Sequence, residues 1–315
     1  MNYKKSLLKL IQVLISVLLI CYVIKKVDLI ATVNVLGEIN LIWLIIPLFL
    51  FIINIFLTTF RWNLILKKFK INTRFSSLLQ LNYISFFFSQ FLPSRFGGDI
   101  VKGYYSFKEN KNVMASSLSI VSDRIAGVTA FIVLNLISLI VGFKILAPWI
   151  IALTLGIDIT LIIILLIISR KGIIYKIKIL KTLLEKIKVL EKVEKTYSEI
   201  KKIKDDKNLL VDAFFISLLA NIMFIFINYT YSELFNFNIS LIYFIIFIPI
   251  IVSITLLPIS FNGIGLREYL VILLFGTVGL SVEQALALGI INRLVLIIHS
   301  AIGGGIYLRY IVNKK

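Results

Sequence analysis

Long apolar stretches alternate with short basic ones along this chain, and the stretches have the length of a membrane crossing. A hydrocarbon layer about 30 Å thick is spanned by about 20 apolar residues in a helix. Runs of that kind lie at 6–24, 41–60, 115–143, 148–169, 208–230 and 284–310. Two shorter apolar runs, 78–92 and 241–257, each end against a proline, Pro93 and Pro258. The 6–24 run has no small-residue cleavage site after it and continues into Lys25, Lys26 and Val27, so it reads as a retained span rather than a signal peptide.

Composition agrees with the pattern. The chain is 59% hydrophobic and 16% charged, with a mean hydropathy of +1.00, against roughly 45–50% and about 25% in a soluble domain. This excludes a soluble enzyme, a nucleic-acid module and a disordered tail. The net charge of +18 then marks cytoplasmic loops rather than nucleic-acid binding. One cysteine, Cys21, excludes intrachain disulfides and thiolate clusters, and reads as a buried apolar residue. One histidine, His299, excludes the usual His-based metal site and a Ser-His-Asp triad, and reads as a packed residue. No cofactor, metal or catalytic residue is expected.

Lys4 and Lys5, the loop carrying Arg61, Lys67, Lys68, Lys70 and Arg74, the segment 170–207 with thirteen Lys+Arg against six Asp+Glu, and the final Arg309, Lys314 and Lys315 should all be cytoplasmic. That parity holds only if one segment between 75 and 170 turns back. The 78–92 run, ending in Phe91-Leu92-Pro93-Ser94, is the natural re-entrant hairpin. The expectation is an all-α polytopic membrane protein with both termini cytoplasmic and about six full spans plus two re-entrant segments, or eight spans.

An internal correspondence carries more weight. Leu92/Leu257, Pro93/Pro258, Phe96/Phe261, Gly98/Gly263, Lys102/Arg267 and Tyr104/Tyr269 fall at one offset, 165 residues (93 to 258). Downstream, Asp123-Arg124 answers to Asn292-Arg293, each within an apolar span. The chain therefore reads as one membrane domain, 1–315, made of two halves of about 1–144 and 145–315. Span parity makes the halves opposite in orientation, and inverted repeats with matching Pro/Gly breaks are a transporter pattern. Within 170–207, apolar residues three or four apart, with lysines between, predict an amphipathic helix on the anionic inner leaflet. A solvated or coiled-coil helix is the alternative.

The motif chemistry suits a phosphate. Pro93 and Pro258 end helices, and Gly97, Gly98, Gly263 and Gly265 let the backbone turn and approach a ligand. Helices restarting near Asp99 and Leu266 would present free N–H groups beside Arg95 and Arg267. Arg95, Lys102 and Arg267 are then candidate head-group ligands, with Arg124 and Arg293 lining the path. Asp99, Asp123, Glu268 and Asn292 would support them, Asp123 by pairing with Arg124 or Lys102 and Glu268 with Arg293. The bland alternative is a pair of kinked helices. Tyr104 and Tyr269 are candidate interface anchors, and Gly303-Gly304-Gly305 permits close packing. No spaced Gly-Lys-Ser/Thr ending is present to grip a nucleotide, so transport is expected to run downhill or on an ion gradient.

The runs Leu92-Pro93-Ser94-Arg95-Phe96-Gly97-Gly98-Asp99-Ile100-Val101-Lys102 and Ser122-Asp123-Arg124-Ile125-Ala126-Gly127, with Pro258 followed by Gly263-Ile264-Gly265-Leu266-Arg267-Glu268, resemble the lysylphosphatidylglycerol synthase transmembrane-region family, also called the flippase-like domain family. The likeness extends over nearly the whole chain. It implies movement of a phosphate-bearing lipid between leaflets of the cell membrane: aminoacyl-phosphatidylglycerol, another phospholipid or a polyprenyl-phosphate sugar. It also implies a possible glycosyltransferase or lipid synthase as partner. The aminoacyl-transferase activity of the family's bifunctional members is not expected here, since their synthase domain has no counterpart in these residues. Lys102 stands where the family commonly has arginine, and Ser94-Arg95 vary, which leaves the head group open. A lipid-modifying enzyme or subunit, or a scaffold, is the alternative.

Overall fold

The computed structural model describes residues 3–40, 42–91, 97–169, 206–257 and 259–312. Pro93, Arg95, Pro258 and nearly all of the 170–207 insertion lie outside them. Eleven α-helices are present among the described residues: α1 Tyr3–Lys26, α2 Leu29–Gly37, α3 Ile45–Lys68, α4 Phe75–Phe91, α5 Gly97–Asn110, α6 Val113–Val141, α7 Pro148–Ser169, α8 Lys207–Leu234, α9 Leu241–Leu256, α10 Leu266–Gly276 and α11 Val282–Val312, with a 3-10 turn at Phe261–Gly263. Five of these, α3, α6, α7, α8 and α11, are long and apolar enough to span a membrane, and the bent pair α1–α2 makes up to six. The chain is an all-α polytopic membrane protein.

Local chemistry sets the helix starts. Asp28 caps α2 by accepting from the N–H groups of Ile30 and Ala31, at 2.9 and 3.1 Å, just past an 83° bend from α1. Asn112 caps α6 through the Ala115 N–H (3.0 Å), and Asp206 caps α8 through the Leu209 N–H (3.1 Å). Asp206 also meets Lys68 Nζ at 2.7 Å, joining the ends of α3 and α8. The hydrogen bond from Lys68, then that from Leu209, holds its carboxyl below the usual carboxylate range.

The order of elements repeats: a long helix, two shorter ones and a long one in α3–α4–α5–α6, and again in α8–α9–α10–α11. Packing follows the same order. The two leading helices, α3 and α8, pack on each other, while α4 lies against α11 and its counterpart α9 against α6. Such reciprocal exchange is what a two-fold relation between halves produces. Helix α9 is apolar all round and buried all round: Ile246, Phe247, Ile250 and Ile251 are at most 1% exposed. Outward faces of α1, α3, α7, α8 and α11 are apolar too, with Leu14, Phe49, Ile163, Phe215 and Ile297 all exposed. Water would not tolerate so continuous an apolar surface, whereas lipid does. Cys21 belongs to this outer surface of α1; the expectation that it is buried is corrected, because it sits on the side of α1 facing away from α10.

Close approach of α4 and α11 depends on the glycine triplet. A Cβ at Gly303 would collide with the Tyr83 carbonyl oxygen, whereas one at Gly305 would meet open space. Gly303→Ala is expected to destabilise the fold by about 1–3 kcal/mol through overpacking against fixed backbone. Gly305→Ala should be neutral or stabilising by up to about 1 kcal/mol. Thermal unfolding of both variants in detergent checks the contrast; equal midpoints would contradict it.

Candidate functional site

Several charged side chains lie buried inside this bundle. Asp123, on α6, accepts from Arg61 Nε of α3 at 2.7 Å and lies 3.7 Å from Lys102 Nζ of α5. Arg61 Nη1 also donates to Ser217 Oγ of α8 (2.8 Å). Gly127, one turn beyond Asp123, leaves room for this guanidinium: a Cβ there would come 3.2 Å from Nη1. Lys102 is only 4% exposed. Its ammonium stands 3.9 Å from the centroid of the Trp62 ring and donates to Asn82 Oδ1 at 3.4 Å. Asn82 in turn donates to Thr58 and Thr59 of α3. One carboxylate thus holds two cations and ties α3, α5 and α6 together, with α4 and α8 hydrogen-bonded to the cluster.

The second half has a less charged version. Asn292 takes the place of Asp123 and donates to Asn228 Oδ1 (3.5 Å) and the Tyr231 hydroxyl (3.4 Å). Arg267 Nη2 donates to the same Asn228 oxygen at 3.1 Å.

Outside these networks lies a second pair of features. Arg124 grips Asp99 with two hydrogen bonds, Nε to Oδ2 at 2.6 Å and Nη2 to Oδ1 at 2.8 Å. Arg293 Nε donates to Glu268 Oε1 at 3.0 Å, and Glu268 Oε2 accepts from the Gly265 N–H at 2.8 Å. Each carboxylate sits in the first turn of a short helix, α5 or α10, where the free N–H groups favour it. In both couples the arginine follows its acid by 25 residues. The structural offset is therefore 169 residues (99 to 268, 123 to 292, 124 to 293), four more than the motif offset. The extra residues are spent in the turn before α10, where Asn262, Gly263 and Gly265 all have positive φ (51°, 76° and 79°). Gly265 is needed twice over, since a Cβ would also press on Leu19 and on the Ser16 carbonyl of α1.

Each couple lies in the wall of an apolar cleft. The first, about 830 Å³, is formed by α5, α6 and α7 and contains Asp99 and Arg124 among residues such as Ile100, Val121 and Leu161. The second, about 640 Å³, is formed by α1, α4, α10 and α11 and contains Glu268 and Arg293 among Ile20, Phe87 and Leu296. The side chain of Arg124 is half exposed and that of Arg293 about a quarter. Both volumes are of ligand size. An acyl chain suits such walls, and a guanidinium oriented by a carboxylate presents a planar fork of donors to a phosphate.

Gly97 and Gly98 open α5, where a Cβ on Gly98 would strike Ser85 and Ser89 of α4. Lys102 and Arg267 lie in the buried networks and line neither cleft; Arg124 and Arg293 do line them. Glu268 pairs with Arg293, and Asp123 pairs with Lys102 rather than with its neighbour Arg124. His299 is buried, with its ring stacked on Phe51 at 4.4 Å between centroids. Tyr104 is exposed beside the first cleft, and Tyr269 meets Tyr22 edge-on at 5.9 Å.

Arg61 corrects the sequence reading. It was expected in a cytoplasmic loop, yet α3 continues to Lys68 and Arg61 is 8% exposed. No glycine or proline intervenes between Phe60 and Lys68 to stop the helix, and Asp123 supplies the counter-charge. That uninterrupted run was the available signal. Asn82, Asn228 and Asp158 were also passed over; Asp158, the one acid in the 148–169 run, was the most legible of them.

Residues 9–304 match the family described as Lysylphosphatidylglycerol synthase TM region. The chain is also similar to the UPF0104 membrane protein MJ1595 of Methanocaldococcus jannaschii, at 26% identity over 97% of this chain and 95% of that protein. No solved structure matches it.

Proposed function

Because the chain belongs to the lysylphosphatidylglycerol synthase transmembrane-region family, we propose that it moves a phosphate-bearing lipid between the leaflets of the cell membrane. One observation carries this reading: an apolar cleft of ligand size with an arginine–carboxylate couple in its wall occurs twice, at equivalent places in the two halves. A site for a soluble substrate would need a wet, polar wall, and these walls are apolar. The phosphate would meet Arg124 in one cleft and Arg293 in the other, while Asp99 and Glu268 hold the guanidinium planes in place. If the halves are inverted, as the basic loops imply with both termini cytoplasmic, the clefts serve opposite leaflets and the buried networks between them form the pivot.

The test is reconstitution of the full chain in vesicles carrying a fluorescent phosphatidylglycerol, with a membrane-impermeant quencher to report exposure in the outer leaflet. The proposal expects quenching to run past the outer-leaflet half in protein-containing vesicles only. Quenching that stops at half in both vesicle types, with this lipid and with a polyprenyl phosphate, would overturn it.

A further inference from the structure

Asp158 lies at the eleventh of the 22 residues of α7, about 15 Å from either end of that helix at 1.5 Å per residue. It is 1% exposed. Its two carboxyl oxygens share a single donor, Asn135 Nδ2 of α6, at 2.9 and 2.8 Å. No basic side chain among the described residues lies within ion-pair distance. Helix α7 carries no other charged residue. Of the helices packed against it, α9 has only Tyr243 as a titratable group, and α6 has Asp123 and Arg124, some 17 Å along the helix from Asn135 at the same rise.

Two more polar atoms at this spot lack a partner among the described residues. Asn135 Oδ1 and Thr154 Oγ1 are buried without any hydrogen bond, on residues that are 0% exposed. Thr154 precedes Asp158 by four residues and so shares its face of α7. An ionised carboxylate here would be a desolvated charge held by one neutral amide, which is costly. A carboxylic acid removes the charge and gives Asn135 Oδ1 a donor. With a small swing of the amide, the acid O–H donates to Asn135 Oδ1 while Asn135 Nδ2 donates to the acid carbonyl, a reciprocal pair that satisfies Asn135 Oδ1 and leaves only the Thr154 hydroxyl outside it.

We propose that Asp158, paired with Asn135, is an intramembrane proton-binding site. The carboxylate takes up one proton to become the neutral acid when α6, α7 and α9 close around it, and releases that proton when the three helices part and water reaches the carboxyl. The use of the proton, to couple lipid movement to a proton gradient, rests on the function proposed above; the site itself does not. A monovalent metal cation would use the same oxygens but would leave the carboxylate ionised, so the two ligands are separable.

Infrared spectra of the full chain in nanodiscs test the site. At neutral pH the wild type should show the C=O stretch of a buried carboxylic acid that Asp158→Asn lacks, the asparagine standing in for the neutral acid in size and shape. Asn135→Ala keeps the acid and should shift that band, since its hydrogen-bond partner is gone. Identical spectra for wild type and Asp158→Asn in the carboxylic-acid region would overturn the proposal. So would a carboxylate band lost with Asp158 that responds to sodium and not to pH. In vesicles with an imposed pH gradient, wild-type movement of fluorescent phosphatidylglycerol should change several-fold with the direction of the gradient, and that of Asp158→Asn should not. Equal responses would overturn the coupling. Absence of movement in both would count against lipid transport and leave the infrared result to decide the proton site.

Discussion

Asp123→Ala is expected to destabilise the protein by about 3–5 kcal/mol, because it strands two buried cations at once. Arg61 loses its 2.7 Å partner and Lys102 its 3.7 Å one, and neither side chain can reach water from inside the bundle. Ser217, Asn82 and the Trp62 ring remain, but none carries a negative charge. Asn292→Ala, at the equivalent place in the other half, removes two long hydrogen bonds to neutral groups and should cost only about 1–3 kcal/mol. Unfolding midpoints of the two variants in the same detergent give the comparison. An Asp123→Ala protein as stable as Asn292→Ala would mean that water already shields Arg61 and Lys102, and the buried network would lose its standing as the pivot between the clefts.

The largest effect on activity is expected from Arg124→Ala with Arg293→Ala. Each arginine is the cation of one cleft. A charge-assisted hydrogen bond to a phosphate contributes about 1.5–3 kcal/mol, so each loss should slow lipid movement by about 10- to 100-fold, and the pair by more. Folding should survive, because both couples are partly exposed and contribute little to stability. Anionic lipid that copurifies with the wild type should be depleted from the double variant by mass spectrometry. Asp99→Asn is the informative companion: it leaves the arginine in place but unclamped, so binding should weaken less than in Arg124→Ala. Wild-type translocation by the folded double variant would remove the arginines from the head-group role and return the question to Arg95 and Arg267.

These expectations could be only half drawn from the residues. Spans of about 20 apolar residues announce themselves, because lipid demands continuous apolarity and internally bonded backbone. The matching breaks at Pro93 and Pro258 and the Asp123-Arg124/Asn292-Arg293 pairs were visible as a repeated pattern. Partners were less legible. Sequence offset aligned Lys102 with Arg267 and assigned both to a ligand, yet each points into a buried network. Asp99 and Glu268, placed by offset four residues out of register, turned out to do equivalent work. A turn can absorb four residues at small energetic cost, whereas a shift between the acid's short helix and the arginine's long one would separate the couple. The packed structure therefore keeps the 25-residue spacing and lets the turn vary.

What the sequence by itself determined is the solvent and the material: an all-helical chain that lives in lipid, carries a twice-occurring Pro/Gly break, and belongs to a family that its Pro/Gly/Arg motifs identify. Tertiary structure alone decided which charges face each other. Arg61 becomes an interior residue only because Asp123 arrives from another helix, and Arg124 becomes a cleft residue only because α7 stands opposite. Asp158 becomes a candidate proton carrier only because no cation among the described residues reaches it. Hydrophobicity is a property of each residue and can be read one position at a time. The cost of a buried charge depends on its neighbours, and those are brought together by folding.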